Sequence, residues 1–320
     1  MTLVRVIKDW NYPDLLRQTP GGAGQWDNIC FTLDAVPECD YVIVLNRIPQ
    51  ATMARCPAQH VWVIMQEPPV VKYRWHRKGF DLFFRVYTQN TTLGGERFVF
   101  SQPALPWHVD KSYDELKRFL PPNKLKALSW ITSSRSQLSG HKARLAFLAA
   151  LQAGAVEFDL WGKGFAPIVD KWDGLMNYRY SLAVENYAGP YYWSEKLADC
   201  YLSWAMPIYH GCANIVDYFP PESLIKIDIQ KPAEAIEIIR ETLQSDRWRR
   251  NRDAIAYARE LVLDRYQFFP FVTELIHQFE AANPVYPAQT IKLPKLLRGR
   301  GLLSKRRSAS RFLRRAIGGR

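Results

Sequence analysis

The sequence predicts an α/β protein of two Rossmann-like domains facing a cleft, followed by a basic amphipathic C-terminal tail. Three observations predict it: short apolar runs that alternate with helical stretches, a Pro-marked break near residue 121, and a cationic segment after residue 290. Strands alternating with helices make βαβ units, and hence parallel sheets with helices on their faces. At 320 residues the chain is long for one domain and comfortable for two.

In the first third, residues 3–7, 41–45, 61–65 and 80–86 are rich in Val, Ile, Phe and Tyr, which suits buried strands. Pro13, Pro20-Gly21-Gly22, Pro37, Pro49 and Pro68-Pro69 punctuate the loops between them. Helices are hard to place in this third. Residues 110–124 read as a boundary: a charged helical segment, then Pro121-Pro122, then a fresh strand. Beyond it, strands at 125–132, 156–161, 180–184, 207–209 and 225–227 alternate with helices at 140–152, 194–204, 233–243, 247–263 and 268–282. This divides the chain into domains at 1–120 and 121–285, with a tail at 286–320. Residues 283–294 hold three prolines and read as a linker into that tail.

The formal charge of +12 is not spread over the chain. Residues 291–320 carry eleven Lys and Arg and no Asp or Glu, and subtracting eleven from twelve leaves residues 1–290 at +1. The body is nearly neutral and the positive field belongs to the tail. Within it, residues 308–320 place Phe312, Leu313, Ala316 and Ile317 on one helical face and Arg311, Arg314 and Arg315 around the other. That pattern suits an anionic membrane surface. Phe312 is the tail's only aromatic, so a stacking platform for nucleic acid is missing and no nucleic-acid partner is expected.

Five cysteines, odd in number and without CxxC spacing, support neither structural zinc nor a disulfide framework. The N-terminal MTLVRVIKDW holds no apolar run of the kind a signal peptide needs. The expectation is a cytoplasmic protein, peripheral on the inner face of the cytoplasmic membrane if the tail binds there. Eleven Trp and sixteen Tyr could line a sugar-binding cleft, but large residues packed between layers are the more ordinary account of them.

The informative stretch runs from Tyr178 to Gly211. It reads as a strand, a polar loop with Gly189-Pro190, a helix opening at Ser194, and a second strand into Gly211. Ser194 is a natural N-cap, so the amides that follow it attract a phosphate, and Lys196 adds a full charge in the first turn. Glu195 is placed to accept hydrogen bonds from a ribose diol. The competing reading is that Glu195 and Lys196 are ordinary first-turn surface charges.

The arrangement as a whole resembles glycosyltransferase family 10, the α-1,3/4-fucosyltransferases. The family pattern appears as YSLAVEN at 180–186, YWSEK at 192–196, PIYHG at 207–211 and FPPESLI at 219–225. Upstream, a strand ending Ile131-Thr132-Ser133-Ser134 precedes Arg144, Phe147 and Leu151 on the next helix. The resemblance implies a GT-B fold, a nucleotide-sugar donor (GDP-fucose in the family), and transfer with inversion. It makes residues 1–120 the acceptor-side domain and 121–285 the nucleotide-sugar-binding domain. Carried over by position, Arg144 and Lys196 hold the diphosphate, Tyr192 sits against it, Glu195 binds the ribose, and Glu185 and Asn186 shape the pocket near the sugar.

Cations and amide dipoles at those positions would stabilise a departing nucleoside diphosphate. With no DxD triplet and no clustered metal ligands, neither a metal nor another cofactor is expected. Inversion also needs a base for the acceptor hydroxyl, and Glu67, where a strand meets Pro68-Pro69, is the best placed, with Asp81 and Glu96 behind it. His210 is a further candidate for touching the donor, and Trp161-Gly162-Lys163-Gly164 resembles a GT-B loop. The expected acceptor is a glycan or glycolipid of surface polysaccharide or lipopolysaccharide type. Two other readings stay open: a GT-B transferase using a different nucleotide sugar, and a non-catalytic membrane or nucleic-acid adaptor acting through its tail.

Overall fold

The structure is a computed structural model that describes residues 1–283 and 285–296. The strongly basic segment expected to form a helix at 308–320 lies outside the described residues.

In the first domain the strands are β1 (Thr2–Ile7), β2 (Gln25–Trp26), β3 (Ile29–Thr32), β4 (Tyr41–Leu45), β5 (Thr52–Cys56), β6 (Val61–Ile64), β7 (Arg85–Thr88) and β8 (Phe98–Phe100). All but β5 form one sheet in the order β2-β3-β1-β4-β6-β7-β8, parallel throughout except for β2. Strands 41–45 and 61–64 are apolar on both faces because both faces are covered. The crossovers here are loops and 3-10 turns, including a long 3-10 run at Val71–Leu82. That is why no 3.6-residue periodicity marks this third. Phe80 to Leu82, expected to open a strand, belong to that 3-10 run, and pairing starts only at Arg85.

A short helix, α1 (Tyr113–Arg118), follows, its start held by a Ser112–Glu115 capping box. The second domain then builds a parallel sheet from β9 (Lys126–Ile131), β10 (Asp159–Trp161), β11 (Tyr178–Gly189), β12 (Met206–Cys212) and β13 (Ile225–Lys226). Its order is β10-β9-β11-β12-β13. Helices α2 (Ser139–Ala153), α3 (Glu195–Leu202), α4 (Pro232–Gln244), α5 (Arg247–Arg250) and α6 (Arg252–Leu261) accompany it. Phe147, Leu148 and Leu151 of α2, Leu197 and Tyr201 of α3, and Ile236 and Ile239 of α4 enter its core.

Two elements depart from the sequence reading. Helix α7 (Phe268–Ala282), expected within the 121–285 domain, packs on the first sheet instead. Its Phe268, Phe269, Val272, Ile276 and Phe279 bury against Phe31, Tyr41, Ile43 and Trp62. The crossing is pinned where Gln102 Nε2 donates to the Tyr266 carbonyl (2.8 Å) and Gln267 Nε2 to the Gln18 carbonyl (3.1 Å). Residues 289–293, read as linker, form β14 (Gln289–Leu293), antiparallel to β5. The physical reason is that Pro287 and Pro294 stand outside the ladder, so they bound the strand without breaking it. Leu293 joins the core on the far face of the first sheet, with Val42, Val44, Val63 and Phe83. Among the described residues, no helix is long and apolar enough to cross a membrane.

Candidate active site

The strand order of the second sheet reverses between β9 and β11, and open α/β sheets bind ligands outside the carboxyl ends of strands at such a point. A cavity of about 450 Å³ lies there. It is walled by the end of β9 (Ile131, Thr132, Ser133), the starts of α2 and α3, and the loop carrying Gly162 and Lys163, with Tyr12 and His108 closing it from the first domain and the linker.

Close backbone approaches shape it. Gly140, in the first turn of α2, lies so near β11 that an added Cβ would be 1.8 Å from the Asn186 carbonyl oxygen. Gly162 has φ 115° and lies against the Thr132 carbonyl, where a Cβ would be 2.0 Å away. The ladder between β11 and β12 is interrupted between Val184 and Gly189, and Glu185 and Asn186 occupy that break.

Arg144 is 4% exposed. It donates to Asn186 Oδ1 (2.6 Å) and to the carbonyl and hydroxyl of Ser133 (both 3.2 Å). Three lining atoms are buried without a hydrogen-bond partner among the described residues: Arg144 Nε, His141 Nδ1 and Thr132 Oγ1. Each such group costs on the order of 1–3 kcal/mol until something polar meets it. The lining charges are Arg135, Arg144, Lys163, Lys171 and Lys196 against the single carboxylate of Glu195. Burial, and then Arg144, lowers the His141 pKa; burial and Lys171 lower that of His108. Both imidazoles are therefore biased toward neutrality beside the cations.

At the start of α3, Ser194 is the N-cap as expected, its side chain accepting from the Lys196 amide. Lys196 lies 3.1 Å from Glu185 and 3.4 Å from Glu195. Burial works against the Lys196 charge, but Glu185 and Glu195 outweigh it and raise the pKa. Burial likewise opposes the Glu195 charge, and Lys196 and Lys171 overcome it, holding that carboxyl well below its usual range.

Asn186, Arg144, Glu195 and Lys196 all line the cavity, so four of the expected donor residues are brought together. Glu185 and Tyr192 are not on its wall. Glu185 has a fully buried carboxylate, engaged by Ser194 and Lys196, and it braces the α3 start from beneath. Tyr192 is buried edge-on to Tyr187, 5.7 Å between ring centroids. His210 does not line the cavity either; its Nδ1 lies 3.2 Å from the Ile227 carbonyl.

Lys171 was not legible in advance. It lines the cavity and bridges Glu195 (3.4 Å) and Asp199 (3.0 Å). Asp199 in turn accepts from the backbone amides of His108 (2.8 Å) and Val109 (3.3 Å), tying α3 to the interdomain linker. No motif surrounds Lys171, which sits in a 3-10 turn capped by Asp170.

Glu67 follows β6 in the first domain, its amide donating to Asn46 Oδ1 (3.1 Å). It lines a separate narrow pocket with Pro68, Pro69, Tyr73 and Arg74, rather than the 450 Å³ cavity. Its charge is nonetheless felt at Tyr192, and it feels that of Lys196, both in the second domain. Burial raises its pKa, against a hydrogen bond from Tyr73 and the nearby charge of Lys72. Asp81 and Glu96 are exposed. Among the described residues, no group of three or more His, Cys, Asp or Glu is placed to hold a metal ion.

The chain thus has two parallel α/β sheets, with a cavity lined by five cations and one carboxylate at the strand-order reversal of the second. Residues 121–251 match the family described as Glycosyltransferase family 10 (fucosyltransferase) C-term. It is 26% identical over 228 residues to human 4-galactosyl-N-acetylglucosaminide 3-alpha-L-fucosyltransferase FUT6, covering 67% of this chain and 60% of that protein. With FUT5 of Hylobates lar it shares 25% over 260 residues, 75% of this chain and 66% of the relative. The chain thus spans about 60% of the length of the FUT6 relatives it matches. A solved alpha1,3-fucosyltransferase with GDP is similar with a TM-score of 0.43 at 15% identity, covering 83% of this chain and 92% of that one. The two-domain α/β architecture expected of a GT-B protein stands on this chain's own strand order.

Proposed function

We propose that this chain is an inverting glycosyltransferase that moves fucose from GDP-fucose to a glycan hydroxyl. The observation that supports it best is the set of unpaired buried polar atoms in a cavity with five cations and one carboxylate. A diphosphate supplies the missing acceptors and the missing charge together. Arg144 and Lys196 hold it, the amides at the α3 start add their dipole, and Glu195 accepts from the ribose.

The acceptor hydroxyl attacks the anomeric carbon from the side of the first domain. Its proton passes to the Glu67 carboxylate as the bond to the β-phosphate oxygen breaks, and GDP departs with the electron pair. Cations fixed before the reaction stabilise that growing charge, a contribution worth roughly 10²–10³ in rate per donor group. Burial raises the Glu67 pKa against the Tyr73 hydrogen bond and the Lys72 charge, the direction that suits a base for the proton it takes. The acceptor in this reading is a surface glycan of lipopolysaccharide or capsule type, met on the cytoplasmic face of a membrane to which the cationic segment 291–320 would be drawn.

The test is a panel of nucleotide sugars with calorimetric binding and donor-hydrolysis readouts. GDP-fucose should bind and turn over. Turnover of another nucleotide sugar in its place would make the chain a GT-B transferase of different donor choice.

A further inference from the structure

The 3-10 run Val71–Leu82 has no part in the donor cavity, yet it holds the densest charge in the described first domain. It reads VKYRWHRKGFDL, and from residue 68 to residue 80 there is no Asp or Glu. Lys72, Arg74, Arg77 and Lys78 are all exposed. Among the described residues none of the four forms an ion pair with a carboxylate, whereas Arg17, Arg47, Lys117, Lys126 and Lys171 all do.

The run also borders the chemistry. Arg74 and Arg77 share the narrow pocket of Glu67. The Lys72 ammonium lies 5.1 Å from the centroid of the Tyr73 ring, and the Tyr73 side chain hydrogen-bonds Glu67. The field of Lys72 reaches His141 on the wall of the donor cavity. An acceptor whose hydroxyl approaches Glu67 must therefore lay its neighbouring residues along this run. Trp75 gives the strip an aromatic surface, with Arg47 5.5 Å from its ring centroid.

Resting on the transferase reading above, we propose that residues 72–78 are the acceptor-specificity site and that they recognise an acidic glycan, carrying a carboxylate or phosphate near the hydroxyl that is modified. Lys72, Arg74 and Arg77 around the base, with Lys78 next along the run, would steer and hold such an acceptor and discriminate against a neutral one. A flat anionic membrane fits less well, because part of the cluster faces the pocket that Glu67 lines.

The experiment measures binding of two matched probe pairs to the full chain: trigalacturonate against its neutral methyl ester, and maltotriose 6-phosphate against maltotriose. The first pair reports carboxylate recognition and the second phosphate. At least one acidic probe should bind about tenfold tighter than its neutral partner, and K72Q/R74Q/R77Q/K78Q should abolish that preference. A control with the same loss of charge elsewhere, R247Q/R249Q/R250Q/R252Q, should keep it. Neutral and acidic probes binding alike, the preference surviving the first variant, or its loss in the control would each overturn the proposal. So would a first variant that loses only its binding to phosphatidylglycerol vesicles, which would make the strip a lipid surface. GDP titrated into the same samples separates the two readings: an acidic preference without GDP binding sinks the donor assignment alone.

Discussion

The Glu185 carboxylate accepts hydrogen bonds from both the amide and the hydroxyl of Ser194, at 2.8 and 2.7 Å. Two segments nine residues apart, one at the break in the β11 ladder and one opening a helix, are thereby locked together beside the cavity. The other oxygen of the same carboxylate faces Lys196 at 3.1 Å. A buried carboxylate thus aims the cation assigned to the diphosphate.

Ser194→Ala removes the cap and the hydroxyl's hydrogen bond to Glu185, and leaves the backbone amide bond in place. A loss of about 1–3 kcal/mol in stability is expected, with weaker GDP binding, because a buried charge loses a partner. Chemical denaturation and calorimetry read the two effects. Wild-type values in both would show that Glu185 does not brace the helix start.

Lys196→Ala should weaken GDP binding and lower turnover by roughly 10²–10³-fold. The side chain opposes the charge of both Glu185 and Glu195, so the variant also leaves Glu185 without a cation. Lys196→Arg restores charge but not shape, and recovery of GDP affinity ahead of turnover would assign the residue to both binding and transfer. Undiminished activity in the alanine variant would remove the donor-site assignment.

Glu67→Gln should cut kcat while sparing GDP affinity. Tyr73→Phe tests the same group through pH. The Tyr73 hydrogen bond lowers the Glu67 pKa, so its loss raises that pKa further. A base works only when ionised, above its pKa; the acid limb of kcat/KM must therefore move to higher pH. A limb that stays in place, or moves to lower pH, would shift the base elsewhere.

Gly140→Ala places a methyl within 1.8 Å of the Asn186 carbonyl, so α2 or β11 must give way. Arg144 rides on α2 and bonds Asn186, so the loss should appear as weakened GDP binding beyond the roughly 1–3 kcal/mol of overpacking. A variant of wild-type stability and affinity would mean that this close approach is not needed.

Legibility followed periodicity and local chemistry. Tyr41–Leu45 and Phe268–Ala282 occupy the residues expected of them, because an unbroken apolar run and an amphipathic fifteen-residue stretch each allow one reading. The helix opening at Ser194 was equally plain from its cap. What no local pattern carried was where α7 would dock, since its apolar stripe fits either sheet. Burial was hidden too: Glu185 and Tyr192 stand in the family motif beside Glu195 and Lys196, yet they support the wall instead of forming it. Lys171 and His108 reach the cavity only through the fold, from a short 3-10 turn and an interdomain linker with no motif around them.

Helix α7 carries a consequence for how the protein is born. Residues 124–263 hold their whole sheet and its helices in one continuous stretch and can close as they leave the ribosome. The first sheet is synthesised earlier, but the face bearing Phe31, Tyr41 and Trp62 waits uncovered until Phe268 to Phe279 emerge. The domain that begins first is finished last, and a chain stopped short of residue 268 would leave an aromatic face bare in water.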